Sequence, residues 1–326
     1  MNKNLTAILL LNLGGPDSIQ AVRPFLYNLF SDRQIIRLGP SFLQKPIAGF
    51  ISFFRSKKTE KYYKLIGGKS PILEITQAQA KALEKALDKS EDNNEFKVFI
   101  GMRYWHPFIE NVVSEINQNG IKKIIALSLY PQYSITTSGS SFTRLDEVSK
   151  KFDLRITKIE SWNNHPLYID ALVDVIRKGL DSFFENVSSY SFSEIHVLFS
   201  AHSLPKKIID AGDPYEKQTL ETINEITKKI NIQWHLSYQS RSGPVKWLEP
   251  STEEKLKELS EKGVKNVLIV PISFVSDHIE TLYEIDIFYK SLAKELGINI
   301  KRADSLNTHP LFIEALKDIV LKNTKS

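Results

Sequence analysis

A twelve-residue segment of this chain occurs twice. Ser161-Trp162-Asn163-Asn164-His165-Pro166-Leu167-Tyr168-Ile169-Asp170-Ala171-Leu172 returns 144 positions later as Ser305-Leu306-Asn307-Thr308-His309-Pro310-Leu311-Phe312-Ile313-Glu314-Ala315-Leu316, with eight of the twelve residues identical. Upstream, Gly120-Ile121-Lys122-Lys123 and Gly263-Val264-Lys265-Asn266 each lead into an apolar run, at a spacing of 143. Leu11-Asn12-Leu13-Gly14-Gly15-Pro16 holds the place in the first half that Ala201-His202-Ser203-Leu204-Pro205 holds in the second. Similarity at one long period indicates duplicated domains rather than a solenoid of short repeats. Two similar halves are expected, residues 1–165 and 166–326, with a ligand cleft between them.

Apolar β-branched runs alternate with helical patterns, which predicts an α/β fold with parallel, Rossmann-like sheets. Strands are expected at Ala7–Leu13, Lys97–Gly101, Lys123–Leu129, Leu154–Ile159, Ile195–Phe199, Gln233–Tyr238, Asn266–Ile272 and Asn299–Arg302. Helices are expected at Ile75–Lys89, Pro107–Gln118, Leu167–Phe184, Pro214–Lys229, Thr252–Lys262, Thr281–Leu296 and Leu311–Leu321. In open α/β sheets ligands bind beyond the carboxyl ends of the strands. Asn12, Arg103, Tyr130, His202, Gln239-Ser240-Arg241 and Asp277-His278 all fall at such ends.

The chain has no cysteine. Disulfides, thiolate nucleophiles, zinc fingers and cysteine-held iron–sulfur clusters are therefore excluded on it. Any metal must meet imidazole, carboxylate or hydroxyl groups, a donor set weak enough to pass a metal on. No apolar run approaches the roughly 20 residues of a bilayer span. Met1-Asn2-Lys3-Asn4 leads directly into a strand without the regions of a signal peptide. A cytoplasmic protein is expected, with peripheral contact to the inner face of the membrane left open.

The formal charge is +5, unevenly spread. Arg55, Lys57, Lys58, Lys61, Lys64 and Lys69 crowd one stretch against the single acid Glu60. Nucleic acid is not expected as a partner, because no recognition motif accompanies the run. A solvated helix face or a surface for anionic lipid or an anionic substrate both account for it. Directly before it, Pro40–Phe54 is rich in aromatics. That segment reads as a buried helix or as an apolar lip that meets a membrane or a flat ligand.

Two strand ends carry the chemistry. His202 leaves an apolar strand flanked by the small Ala201 and Ser203, which leave room around the ring. Glu280 and Glu284, just beyond the Asn266–Ile272 strand, are four apart and share a helix face. A neutral imidazole accepts protons near pH 7, and paired carboxylates hold hard cations. The plainer readings are a core histidine and a solvated acidic face. Gly67-Gly68-Lys69-Ser70 is rejected as a phosphate loop, since Tyr63 stands where the first glycine belongs. Gly14-Gly15 lacks the third glycine of a dinucleotide fingerprint and reads as a tight turn. His165 and His309 read as helix capping or packing, and His196 and His235 as structural. His278 reads as capping or support for the site, and His106 has no assigned role.

The chain resembles the ferrochelatase family over essentially its whole length, in the bacterial type without an iron–sulfur cluster. The shared motifs are Leu11-Asn12-Leu13-Gly14-Gly15-Pro16, Ile66-Gly67-Gly68-Lys69-Ser70-Pro71, Arg103-Tyr104, Tyr130-Pro131-Gln132-Tyr133-Ser134, Ser200-Ala201-His202-Ser203-Leu204-Pro205, Tyr238-Gln239-Ser240-Arg241-Ser242-Gly243-Pro244 and Asp277-His278-Ile279-Glu280-Thr281-Leu282. The resemblance implies a lyase that inserts Fe2+ into protoporphyrin IX to form protohaem, with Fe2+ as substrate and no prosthetic group. It implies His202 and Glu280 as catalytic pair, and His202, Glu280 and Glu284 as metal-handling groups. Leu13, Arg55, Tyr63, Arg103, Tyr104, Tyr130, Tyr215 and Trp247 are implied as porphyrin contacts. The acidic track of the family often runs one turn further, where this chain has Phe288. Alternatives are a cobalt, sirohydrochlorin or coproporphyrin chelatase, or a two-lobed tetrapyrrole-binding protein.

Overall fold

The computed structural model describes residues 5–89, 95–184, 194–243 and 245–324; Met1–Asn4 and Pro244 of the motifs above lie outside them. The chain divides into two compact units, Met1–Trp162 together with Phe312–Ser326, and Asn163–Leu311.

The first unit is built on β1 (Leu5–Asn12), β2 (Glu95–Met102), β3 (Lys123–Ser128) and β4 (Arg155–Ile159). They form a wholly parallel sheet in the order β2-β1-β3-β4. Helices α1 (Val22–Ser31), α2 (Gln44–Leu65), α3 (Ile72–Asp88), α4 (Ile109–Gln118) and α5 (Ser140–Ser149) belong to this unit. Five consecutive residues of β1, Ala7 to Leu11, are fully buried. Such burial on both faces of a strand is what a parallel sheet covered by helices requires.

The second unit repeats the scheme with β5 (Ile195–His202), β6 (Gln233–Gln239), β7 (Asn266–Pro271) and β8 (Asn299–Arg302) in the order β6-β5-β7-β8, again parallel. Its helices are α6 (Pro166–Ser182), α7 (Lys206–Asp210), α8 (Tyr215–Thr227), α9 (Thr252–Glu261) and α10 (Lys290–Glu295). Helix α9 starts with a capping box, Ser251 and Glu254 satisfying each other's backbone N–H groups. A last helix, α11 (Pro310–Lys322), carries the chain back to the first unit, where Phe312 stacks on Trp162 and Lys123 Nζ donates to the Thr324 carbonyl. The second copy of the duplicated segment thus ends in the first unit.

All eight expected strands form, and β1 and β5 occupy the same place in their sheets. The helix expected at Thr281–Leu296 differs in kind. Glu280–Tyr289 is π-helical and only Lys290–Glu295 is α. The first unit carries the counterpart after its own third strand, the π-helical turn Ile135–Gly139, where the Gly139 N–H donates to the Ser134 carbonyl five residues back. A π turn holds one more residue than an α turn and is found mostly at functional sites.

The glycines at the head of the first unit are packing devices. Gly14 sits at φ +84 against the backbone of Trp105, and a Cβ on Gly15 would meet Ser70 Oγ at 2.5 Å. Gly67 and Gly68, both at positive φ, end α2, the Gly68 N–H donating back to the Tyr63 carbonyl at 2.7 Å. Their role as a helix stop agrees with the rejection of a phosphate loop.

Candidate active site at the strand ends

His202 is the last residue of β5, and its backbone is held on both sides. Its N–H donates to Ser273 Oγ at 3.0 Å, and its carbonyl accepts from the Tyr215 hydroxyl at 2.8 Å. Tyr215 Oη and Ser273 Oγ are themselves 2.5 Å apart. The Tyr215 ring is buried, so this candidate porphyrin contact stands beneath the strand end and braces it. Ser273 had no sequence signal, since a lone serine after a strand is unremarked among many.

The imidazole of His202 is 31% exposed, and its Nδ1 lies 2.9 Å from Glu280 Oε2. An ionised carboxylate only accepts, so Nδ1 carries the proton in this contact. Nε2 is then left as the ring's free lone pair in the neutral form. Burial alone would push the His202 pKa down, but the charge and hydrogen bond of Glu280 outweigh it and raise it. Burial likewise opposes ionisation of Glu280, and the His202 contact overrides it and holds that carboxyl well below its ordinary range.

Glu284 is joined to the pair through the end of β6. Ser240 Oγ donates to Glu284 Oε2 at 2.7 Å. The Gln239 amide donates to the same carboxylate at 3.3 Å and to the Glu280 carbonyl at 3.1 Å, while its own oxygen accepts from Ser200 at 2.6 Å. Ser240 adopts φ +66 to aim its hydroxyl, a left-handed conformation of the kind that clusters at functional sites. Burial first, then the neighbouring Glu280 charge, push the Glu284 pKa well above the usual carboxylate range. The two carboxyls are thus driven apart, Glu280 toward giving up its proton and Glu284 toward keeping one.

Phe274 lies edge-on to His202, with ring centroids 5.9 Å apart, and close to His278 at 4.1 Å. His278 is buried and its Nδ1 donates to the Ser276 carbonyl at 3.1 Å. Burial lowers its pKa, so it packs as a neutral ring. Trp247 is half-buried and its backbone pairs with Pro205, next to α7. Among the described residues, no three His, Asp or Glu side chains converge as a metal centre. His202 and Glu280 touch; Glu284 joins them through Gln239 and Ser240.

The first unit carries Asn12 where the second carries His202. Asn12 Nδ2 donates to Thr76 at 3.1 Å and its oxygen accepts from the Leu13 N–H, so that this strand end is locked rather than reactive. Arg103 donates to Asp32 Oδ2 at 2.8 Å and to Ser140 at 2.8 Å, and the Tyr104 hydroxyl meets the same carboxylate at 2.7 Å. Burial would raise the Asp32 pKa, but Ser140, Tyr104 and Arg103 together lower it. Asp32 and Ser140 are the members of this network that the sequence concealed. Tyr63, Tyr104 and Tyr130 are buried, Leu13 is half-buried and Arg55 is exposed, its guanidinium 5.3 Å above the Phe30 ring.

The aromatic segment before the basic run is a surface. Phe42 is 75% exposed, Phe50 67% and Phe54 62% on the 3-10 turn Ser41–Leu43 and α2, which also bears Lys57, Lys58 and Lys61. No helix among the described residues is long and apolar enough to cross a membrane. His196, His235, His309 and His165 lie outside the His202–Glu280 cluster. His196 Nδ1 and His235 Nε2 are 2.8 Å apart across β5 and β6, and His309 Nε2 binds Asp174 at 2.7 Å. His165 occupies the N-cap position of α6 without a side-chain capping bond.

A family model described as Ferrochelatase matches residues 5–324. A ferrochelatase of Geotalea uraniireducens (strain Rf4) is 51% identical over 325 residues, covering 98% of this chain and 98% of that protein. The ferrochelatase of Geobacter metallireducens is 51% identical over 323 residues, covering 97% and 98%. That of Gloeothece citriformis is 49% identical over 97% of this chain and 82% of its own length. Among solved structures, SirB from Bacillus subtilis with Fe3+ matches with a TM-score of 0.55 at 13% identity, covering 97% of this chain and 94% of that one. At that identity the likeness is one of fold.

The His202–Glu280 contact has a direct spectroscopic consequence. Glu280→Gln removes the negative charge that outweighs burial at His202. The His202 ring, titrated by NMR of its C–H resonances, is expected to fall from above to below the ordinary histidine value. A titration unchanged by the substitution rules out the pairing.

Proposed function

The chain belongs to the ferrochelatase family, and from that premise we propose that it inserts Fe2+ into protoporphyrin IX to give protohaem, His202 serving as the base and Glu280 as the group that holds it. The observation that carries this reading is the 2.9 Å contact between His202 Nδ1 and Glu280 at the end of β5. Free porphyrin holds two pyrrole N–H protons inside a rigid ring. In the reaction two N–H bonds break, their electron pairs become bonds to iron, and two protons leave.

With Nδ1 committed to Glu280, Nε2 is the lone pair that takes a pyrrole proton. The imidazolium so formed is stabilised by the carboxylate beside it. Glu284, whose hold on a proton is strengthened by burial and by Glu280, releases that proton as the cation approaches and offers a hard oxygen ligand. The metal is thus substrate in transit, handled by His202, Glu280 and Glu284. The chain has no cysteine, so no cysteine-held cluster enters this reading.

The porphyrin contacts divide by exposure. Leu13, Arg55, Arg103 and Trp247 keep surface free to meet the ring, and Arg103 or Arg55 is suited to a propionate. Tyr63, Tyr104, Tyr130 and Tyr215 are buried and act by shaping what lies above them. The reading places the enzyme in the cytoplasm, the exposed phenylalanines and lysines of α2 supporting peripheral contact with an anionic membrane face.

His202→Ala is expected to lower anaerobic metallation of protoporphyrin IX, followed by absorption, by on the order of 10²–10⁴-fold. Porphyrin binding, read by fluorescence quenching, should persist, because apolar contact holds the ring. Near-normal turnover would remove His202 from the reaction. Glu280→Gln should lose most activity, and Glu284→Gln should act mainly by raising KM for metal.

The lip has its own test. Changing Lys57, Lys58 and Lys61 together to Glu should weaken co-sedimentation with anionic liposomes, and added salt should weaken it for the unaltered protein. If the unaltered protein never sediments with such liposomes at low salt, the membrane contact is wrong.

A further inference from the structure

The π-helix Glu280–Tyr289 carries both site carboxylates; at its start the Thr281 hydroxyl accepts from the His278 N–H at 3.0 Å and donates to Asp277 Oδ1 at 3.1 Å, and Ile285 and Tyr289 pack into the core. Its N-cap residue, Ile279, makes no side-chain capping bond. Its acidic groups are held from two neighbouring strand ends. On one side, Gln239 and Ser240 at the end of β6 hold Glu284. On the other stands Arg302, the last residue of β8.

The Arg302 side chain is only 13% exposed and all its nitrogens are used. Nε and Nη2 reach the two oxygens of Asp286, each at 2.9 Å, and Nη1 reaches Asp277 Oδ1 at 3.0 Å. Asp277 is further secured by Ser305 at 2.8 Å and by Asn307 Nδ2 at 2.9 Å. Asp277 and Asp286 flank Glu280 and Glu284 in the sequence, so one guanidinium ties both ends of the acidic segment to one strand end. A guanidinium this buried costs desolvation, which only a full set of charge-assisted bonds offsets.

We propose that Arg302 is a positioning residue: by joining Asp277 to Asp286 it sets the acidic π-helix so that Glu280 and Glu284 are presented for handing metal to the site. This rests on the assignment of Glu280 and Glu284 made above. Arg302 touches neither carboxylate, so it acts through the helix. Beside the clamp lies a cavity of about 270 Å³ lined by Ile285, Asp286, Lys290, Ile300, Lys301 and Arg302. Arg302 forms part of its wall.

The test is steady-state metallation with Zn2+ and protoporphyrin IX. Arg302→Ala is expected to raise KM for Zn2+ about tenfold, in line with the loss of bonds to charged groups, with KM for porphyrin unchanged. Added guanidinium ion at low millimolar concentration should restore much of the loss by entering the cavity. Asp286→Asn, which cuts one arm at a half-exposed residue, should give a smaller rise in the same constant and keeps the test open if R302A does not fold. Combined with E284Q, either variant should add less than its full single effect, because the part of its action that runs through Glu284 is already lost.

An unchanged KM for Zn2+ in folded R302A or in D286N overturns the proposal, as does an equal rise in both KM values or full additivity with E284Q. If E280Q and E284Q impair turnover while R302A and D286N do not alter KM, the clamp alone is wrong. If E280Q and E284Q are themselves silent, the site assignment fails and the clamp with it.

Discussion

The contact between His202 Nδ1 and Glu280 Oε2 determines how every neighbouring group can act. It selects the tautomer, leaves Nε2 as the acceptor, and keeps one carboxylate ionised in a setting where burial disfavours charge. Burial first, and then the same charge, raise the pKa of Glu284. Tyr215 and Ser273 hold the histidine backbone, Gln239 and Ser240 hold the second carboxylate, and Arg302 ties down the ends of the segment bearing both. Each of these bonds is short-range, and together they make a base and a cation ligand from groups that burial alone would neutralise.

The duplicated architecture shows how one scaffold supports two different strand ends. β1 and β5 hold the same position in sheets of the same order. Asn12 closes the first with a hydrogen bond to Thr76, and His202 opens the second toward Glu280. Each third strand leads into π-helical turns. In the first unit these precede Ser140, which serves the Arg103–Asp32–Tyr104 network. In the second they carry the acids themselves. The fold supplies the place, and a few side chains decide whether it is inert or reactive.

The strands were legible because continuous apolar runs bounded by polar residues admit few other readings, and β8 forms at Asn299–Arg302 as expected. His202 and Glu280 were legible because a strand end leaves its last side chain where ligands bind. Helices α1, α5 and α7 were not assigned, and α2 was offered only as one of two alternatives for its apolar and basic stretches, because its phenylalanines face outward and give no one-sided apolar stripe. The π-helix was hidden because Glu280 and Glu284 at a spacing of four suit an α-helix as well. Asp32, Ser273 and Arg302 were hidden for another reason: their partners lie 71, 71 and 16 positions away, and only the fold brings them together. Tyr215 carried the signal of an aromatic contact, but its hydroxyl is turned to the backbone of His202.

The role of His202 as proton acceptor is tested most directly by the pH dependence of a single turnover, with protoporphyrin IX bound beforehand and Zn2+ added by rapid mixing. A neutral His202 is the acceptor, so the metallation rate should rise with pH through the raised pKa of that imidazole and then level off. In Glu280→Gln the rising limb should move to lower pH, following the fall of the His202 pKa, even as the rate drops. A limb that stays in place in that variant, or that survives in His202→Asn, would show that another group takes the pyrrole protons.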